Sequence, residues 1–199
     1  MPPATQTVAP SDLRDFARDI LMADGVAEGQ AAAMAEGFVW ANLRGVDSHG
    51  IARLPRYVEM FASGEANRAP VMAEERPRPA FGVIRADHAP GAVAMTRAVD
   101  LGVGIAREQG VAWVQVIETV HAGAVGAYAE RAAKAGMIGI VILAGMPNMA
   151  WPGARGAAVA TSPIAIGVPS ADRPFLLDMA TAMIALGKIK QYEIKGLPL

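Results

Sequence analysis

A chain of 199 residues with 53% apolar and 19% charged residues has enough material for one or two domains with a sizeable buried core. Its formal net charge of -1 gives no electrostatic reason to expect a nucleic-acid or membrane partner. The absence of cysteine excludes a disulfide framework, a thiolate metal site and a thiol nucleophile. Met1 to Val8 lacks the basic start and apolar core of a secretory signal, and apolar runs are broken before membrane-spanning length. The expectation from these features is a soluble, cytoplasmic protein.

Ser11-Asp12 reads as the cap of a first helix in which Leu13, Phe16, Ala17, Ile20 and Leu21 share a face, with Gly25 as its stop. A second helix is predicted from Ala27 to Leu43, with Ala31, Met34, Ala35, Phe38 and Val39 turned inward. A third runs through Tyr57 and Phe61 and ends at Ser63-Gly64. Residues 66–79, rich in Pro, Arg and Glu, read as an exposed linker. Beyond it come a strand over Ala80 to Arg85, a helix over Pro90 to Gln109 and a strand over Val111 to Ile117. A helix over His121 to Ala135 follows, then strands over Ile138 to Leu143, Ile164 to Val168 and Phe175 to Leu177. Gly187 to Leu199 carries no capped element. Helices alternating with apolar strands give an α/β fold with a sheet buried on at least one face. The division is a helical part over 1–65, the linker, and an α/β part over 80–199.

Arg44-Gly-Val-Asp-Ser-His-Gly-Ile-Ala-Arg53 gathers an acid, a hydroxyl, an imidazole and a guanidinium within ten residues, at a break between helical patterns. Asp47 and Ser48 are good N-cap types, and Gly50 permits a sharp turn. A helix starting near Gly50 would point Arg53 back over the turn carrying His49. A proton carrier that titrates near neutrality then sits beside a fork suited to a carboxylate. The competing reading is a capped helix with a surface His and a solvated Arg.

Asp47-Ser-His-Gly-Ile-Ala-Arg-Leu-Pro-Arg-Tyr57 resembles the signature of the malate/L-lactate dehydrogenase family that is unrelated to the Rossmann-type enzymes. Thr119-Val-His-Ala-Gly-Ala-Val-Gly-Ala-Tyr128 is similar to that family's Ser-x-His-x-Gly segment. A third similarity runs from Met149 through Ala160-Thr-Ser-Pro-Ile-Ala165 to Leu177-Asp-Met-Ala-Thr181. The resemblance implies a non-Rossmann NAD(P)-binding fold, NAD or NADP as cofactor, a small carboxylic-acid substrate and a homodimer. Members of the family run well beyond Leu199, so the chain is expected to be the front part of a longer enzyme.

By the same resemblance, His49 is the acid that protonates the substrate oxygen in reduction, Ser48 orients it, and Asp178 joins them as a catalytic group. Arg53 would clamp the carboxylate and Thr161 would contact the substrate. His121, Ala122, Gly123, Ala124 and Val125, with Asp178, Met179 and Ala180, would hold the cofactor. Small residues opening the helix at His121 leave backbone N–H groups and a dipole for a phosphate. Against each role stands a plainer one: Ser48 and Asp178 as helix caps, Arg53 as a solvated charge, and His121 to Val125 as tight packing. Arg44 stays open, Tyr57 reads as core that could line the pocket, and His88 as a surface loop residue.

Gly102-Val-Gly-Ile-Ala-Arg107 starts like a dinucleotide fingerprint, but Arg107 takes the last glycine position and the run lies inside a helical pattern. No metal site is expected, because the three histidines lack ligand spacing with acidic neighbours. A hydrolase built on Ser48 and His49 is disfavoured on the ground that adjacent side chains point apart and no nucleophile elbow is present. The favoured reading is an NAD(P)-dependent 2-hydroxyacid dehydrogenase. The alternative is an inactive truncated remnant or oligomerisation module of such an enzyme.

Overall fold

The computed structural model describes residues 7–183 and 186–198. The chain begins with α1 (Pro10–Ala23) and α2 (Glu28–Asn42). Pro10 occupies the first turn of α1, where its missing N–H is no loss. Ser11 and Asp12 therefore lie inside the helix; Ala9 holds the cap position, and Ser11 Oγ donates to the Asp12 carboxylate. Two three-residue 3-10 turns, Asp47–His49 and Ile51–Arg53, lead into α3 (Leu54–Ser63). Gly64, at φ 77°, closes α3 in the left-handed conformation that glycine adopts without strain.

These helices share one core, in which Leu21, Met34, Phe38, Tyr57, Met60 and Phe61 are buried. Burial of each such side chain contributes roughly 1.5–3 kcal/mol. Arg68 ties the ends of two helices: its guanidinium donates to the Asp24 carbonyl and carboxylate and to the Phe61 carbonyl.

Residues 66–79, read from sequence as a linker, contain the strand β1 (Ala73–Arg78), exposed along its whole length. β1 is the edge of a three-stranded sheet with β2 (Phe81–Arg85) and β3 (Trp113–Ile117), in the order β1-β2-β3. α4 (Gly91–Gln109) joins β2 to β3. Trp113 N–H donates to Ala80 O and Ala86 N–H to Ile117 O, so these two strands run in the same direction.

α5 (Gly126–Lys134) starts five residues later than the pattern from His121 suggests. It packs on an antiparallel sheet of β4 (Gly139–Ile142), β5 (Ile164–Val168) and β6 (Phe175–Met179). The approach is close: a Cβ on Gly167 would lie 2.3 Å from Ala129 O, and one on Gly139 2.6 Å from Ala132 Cβ. Glycines facing alanines let helix and sheet meet without larger side chains between them. The opposite face carries Ile140, Ile142, Ile164, Ile166, Phe175 and Met179, none of them buried. The end of the chain, read from sequence as carrying no capped element, forms α6 (Leu186–Lys195).

By internal contacts the chain forms two units that interleave in sequence: Met1–Glu74, Ile84–Thr96 and Val116–Gly123 in one, Glu75–Val83, Arg97–Gln115 and Ala124–Leu199 in the other. The fold is α/β, as the alternation of patterns implies. Among the described residues no helix is long and apolar enough to cross a membrane.

Candidate functional site

The turn after α2 is organised by Asn42, the last residue of that helix. Its Oδ1 accepts the Ile51 N–H at 2.8 Å, and its Nδ2 donates to Asp47 Oδ1 at 2.6 Å. A Cβ on Gly50 would fall 2.3 Å from Asn42 Oδ1, so only glycine lets the amide pass. The expected helix start near Gly50 is replaced by the two 3-10 turns, and neither Asp47 nor Ser48 caps a helix through its side chain. Both are left for other bonds.

Ser48 Oγ lies 3.0 Å from His49 Nδ1. The expectation that these adjacent side chains point apart is therefore wrong: the tight 3-10 turn brings them onto one side. Arg53 reaches back over the same turn, its Nε donating to Ser48 O at 2.7 Å. Its remaining guanidinium nitrogens bond to nothing among the described residues. His121 enters the same unit from the segment after β3, and its ring stacks against His49 with centroids 5.6 Å apart and planes 19° apart. Tyr57 sits beneath: its hydroxyl donates to His121 O at 2.8 Å and lies 2.9 Å from His121 Nδ1.

Electrostatics follow from this crowding. Burial, then the Arg53 charge, pushes His49 down to about 4 from its ordinary 6.5. His121 is likewise pushed down to about 4, by burial first and then by Arg53, His49 and Arg56. Both rings are neutral at neutral pH. Burial holds the Tyr57 phenol well above its usual range, so it stays protonated. Among the described residues the Nε2 atoms of both histidines have no hydrogen-bond partner, yet neither is sealed off, since Gln30 Oε1 is the one fully buried side-chain atom there without a partner.

Of the other residues singled out from sequence, Ala122 and Gly123 belong to the first unit and Ala124, Val125, Thr161, Asp178, Met179 and Ala180 to the second. Asp178, near the end of β6, accepts the Gly126 N–H on Oδ2 at 2.9 Å. It thus caps α5 across 52 residues of sequence. Desolvation raises its carboxyl above the ordinary value, partly offset by that hydrogen bond. The helix-terminal anion site expected at His121 is displaced by this arrangement: α5 starts at Gly126, and a carboxylate already occupies its first N–H. What remains for an anion is the loop before it. Gly123, Ala124 and Val125 donate their N–H groups to no acceptor among the described residues, and Gly123 has φ 72°. Ala122, Ala124 and Val125 are buried.

Thr161 accepts both the N–H and the hydroxyl of Thr181 on its carbonyl, at 2.9 and 2.8 Å, which pins the segment before β5 to the end of β6. Met179 and Ala180 lie on that same end, Met179 exposed. Arg44 lies over the Trp40 ring at 4.0 Å. His88 is exposed in the loop after β2, with its backbone N–H donating to Glu118 O. Among the described residues no three His, Asp or Glu side chains gather as a metal site.

Sequence reasoning missed Asn42 and Gly91. Asn42 had a local signal, a polar residue ending a helix five positions before Asp47. Gly91 had none: a Cβ there would meet Ala122 Cα at 2.3 Å, and its N–H donates to His121 O, so it seats the His121 segment from 30 residues away.

Residues 8–199 match the family model described as malate/L-lactate dehydrogenase. A malate dehydrogenase from Pyrococcus horikoshii is 39% identical over 184 residues, covering 92% of this chain and 51% of the relative. Its solved structure superposes with a TM-score of 0.90 at 37% identity, over 93% of this chain and 53% of that one. An L-sulfolactate dehydrogenase from Methanocaldococcus jannaschii is 38% identical over 90% of this chain and 52% of its own length. An NAD(+) ureidoglycolate dehydrogenase from Escherichia coli K12 is 34% identical over 83% and 48% respectively. The chain thus spans about half the length of the curated relatives it matches.

Proposed function

The chain belongs to the malate/L-lactate dehydrogenase family, and from that premise we propose that it serves the NAD(P)-linked interconversion of a small 2-hydroxy acid and its 2-oxo acid. The observation that carries this reading is the pair of adjoining turns in which Ser48 holds His49 and Arg53 folds back with guanidinium nitrogens that bond to nothing among the described residues. Relatives named for malate, sulfolactate and ureidoglycolate all act on acids with a hydroxyl next to a carboxylate, which fits that pairing.

In the oxidising direction the neutral His49 would donate Nδ1–H to Ser48 Oγ and take the substrate hydroxyl proton on Nε2. The hydride from the same carbon would leave to a nicotinamide ring, the chemistry that a bound dinucleotide supplies. In reduction His49 returns the proton. Arg53 would hold the carboxylate through two parallel hydrogen bonds and so fix the reacting carbon against His49. A carboxylate there also offsets the positive charge that depresses His49, which makes the imidazole a stronger base once substrate is bound. For the dinucleotide, the N–H groups of Ala124 and Val125, which bond to nothing among the described residues, suit phosphate oxygens. Asp178 Oδ1 is left to accept from a ribose hydroxyl. Met179 and Ala180, on the same end of β6, belong to that proposed lining, and Thr161 would contact the substrate.

We read the enzyme further as a cytoplasmic homodimer. Support for the dimer is the apolar outer face of the β4–β6 sheet, which a partner surface would cover. Thermal unfolding with NAD and with NADP tests the cofactor reading. A dinucleotide at about one hundred times its dissociation constant adds about 2.7 kcal/mol to stability. Protection by one or both supports the proposal; identical unfolding with and without either contradicts it.

A further inference from the structure

We propose that Tyr57 is a positioning residue that locks His121 in its Nδ1–H tautomer, so that the ring presents an unprotonated Nε2 beside His49. The inference goes beyond the reaction proposed above and does not depend on it.

The Tyr57 hydroxyl has one proton and two neighbours within hydrogen-bond distance, His121 O at 2.8 Å and His121 Nδ1 at 2.9 Å. The carbonyl can only accept. If the phenol gave its proton to Nδ1, two oxygens would face each other at 2.8 Å with no proton between them, in a position where Tyr57 is 2% exposed. Two buried acceptors facing each other without a proton repel, and neither has water to satisfy it. The arrangement that satisfies all three atoms has the phenol donating to the carbonyl and accepting from Nδ1–H. The geometry is held on both sides: Gly91 N–H also donates to His121 O, and Phe38 packs edge-on against the Tyr57 ring with centroids 5.3 Å apart. His121 is neutral near pH 7, so a single tautomer is a meaningful state.

The consequence is chemical selectivity. An Nε2 lone pair accepts from an N–H or O–H group and repels a carboxylate oxygen. Arg53 and His121 therefore divide the labour of the cluster: the guanidinium takes the anion, and His121 takes a neutral donor on the ligand.

The chain has three histidines, so their nitrogen resonances are readily assigned by single substitution. Nitrogen-15 NMR of the whole chain at neutral pH, without ligand, separates protonated from unprotonated ring nitrogens. His121 is expected to show a protonated Nδ1 and an unprotonated Nε2. Tyr57→Phe, which keeps the ring, should move the tautomer ratio towards Nε2–H by about fivefold or more, the effect of losing one hydrogen bond of about 1 kcal/mol. A protonated Nε2 on His121 in the wild-type chain would overturn the proposal, as would an unchanged ratio in Tyr57→Phe. The wild-type spectrum decides the first point even if the variant folds poorly. Neither result bears on whether nicotinamide chemistry occurs, and absence of that chemistry leaves the tautomer reading in place.

Discussion

Replacing His49 by Asn should flatten the dependence of stability on pH between 7 and 5. In the folded chain His49 titrates at about 4, against 6.5 for an unperturbed imidazole. At pH 5 the unfolded chain therefore binds nearly one proton at this position while the folded chain binds about a tenth of one. The unfolded state holds more protons, so stability falls as pH falls through the window from 6.5 to 4 and is fully present above it. For this shift the loss between pH 7 and pH 5 comes to about 2 kcal/mol, taken as an upper figure because the ring edge meets water. Urea unfolding at the two pH values, on the wild-type chain and on His49→Asn, isolates the contribution. Carboxylates and His121 titrate in both proteins and largely cancel in the comparison. The wild-type chain should lose up to about 2 kcal/mol more than the variant over this interval. Equal losses in the two proteins would refute the buried, neutral His49 on which the proposed proton transfer rests.

In a version extended to the length of the relatives, His49→Ala should lower the rate of hydride transfer by roughly 10²–10⁴-fold while leaving dinucleotide protection intact; ordinary turnover, followed by nicotinamide absorbance, would remove His49 from the mechanism. In the same version Arg53→Lys should raise the Michaelis constant for 2-oxo acids sharply, since an ammonium cannot make the paired contact; equal constants across several acids would deny Arg53 the clamp. Asp178→Ala leaves the first N–H of α5 unmatched and should destabilise the chain by about 0.5–2 kcal/mol in urea, whereas Asp178→Asn, which keeps an acceptor, should cost less. Ile140→Lys, on the apolar outer face of the β4–β6 sheet that a partner copy would cover, should shift the chain towards the monomer in light scattering; an unchanged size would deny that face a part in the dimer.

Much of this architecture is legible in the residues themselves. Periodicity places α2, α3 and α4 and the strands β2 to β6 within a few positions, because each packs an apolar face with the spacing its backbone imposes. β1 escapes that logic. Glu74, Glu75, Arg76 and Arg78 are charged and Pro77 lacks an N–H, as suits an exposed edge strand, so they read as a linker. The start of α5 is misread for another reason. His121 to Val125 have helix-compatible side chains, but Gly123 turns left-handed, and the cap that sets the true start comes from Asp178, 52 residues from Gly126. The same limit applies to the site. The neighbourhood of Ser48, His49 and Arg53 is local and readable. The union of His121 with Tyr57 spans 64 residues, and the seat that Gly91 provides for it depends on a backbone approach that no local pattern encodes.

The central claim is that His49 and Arg53 serve nicotinamide-linked chemistry on a 2-hydroxy or 2-oxo acid. The most direct measurement follows nicotinamide absorbance while a panel of 2-oxo acids, and the matching carboxamides, is offered with NADH and NADPH to the extended protein and its His49→Ala variant. The account predicts oxidation of at least one reduced dinucleotide with an acid, little with its carboxamide, and almost none in the variant. Turnover that ignores the carboxylate or survives loss of His49, or hydrolysis of simple esters without any nicotinamide, would contradict it.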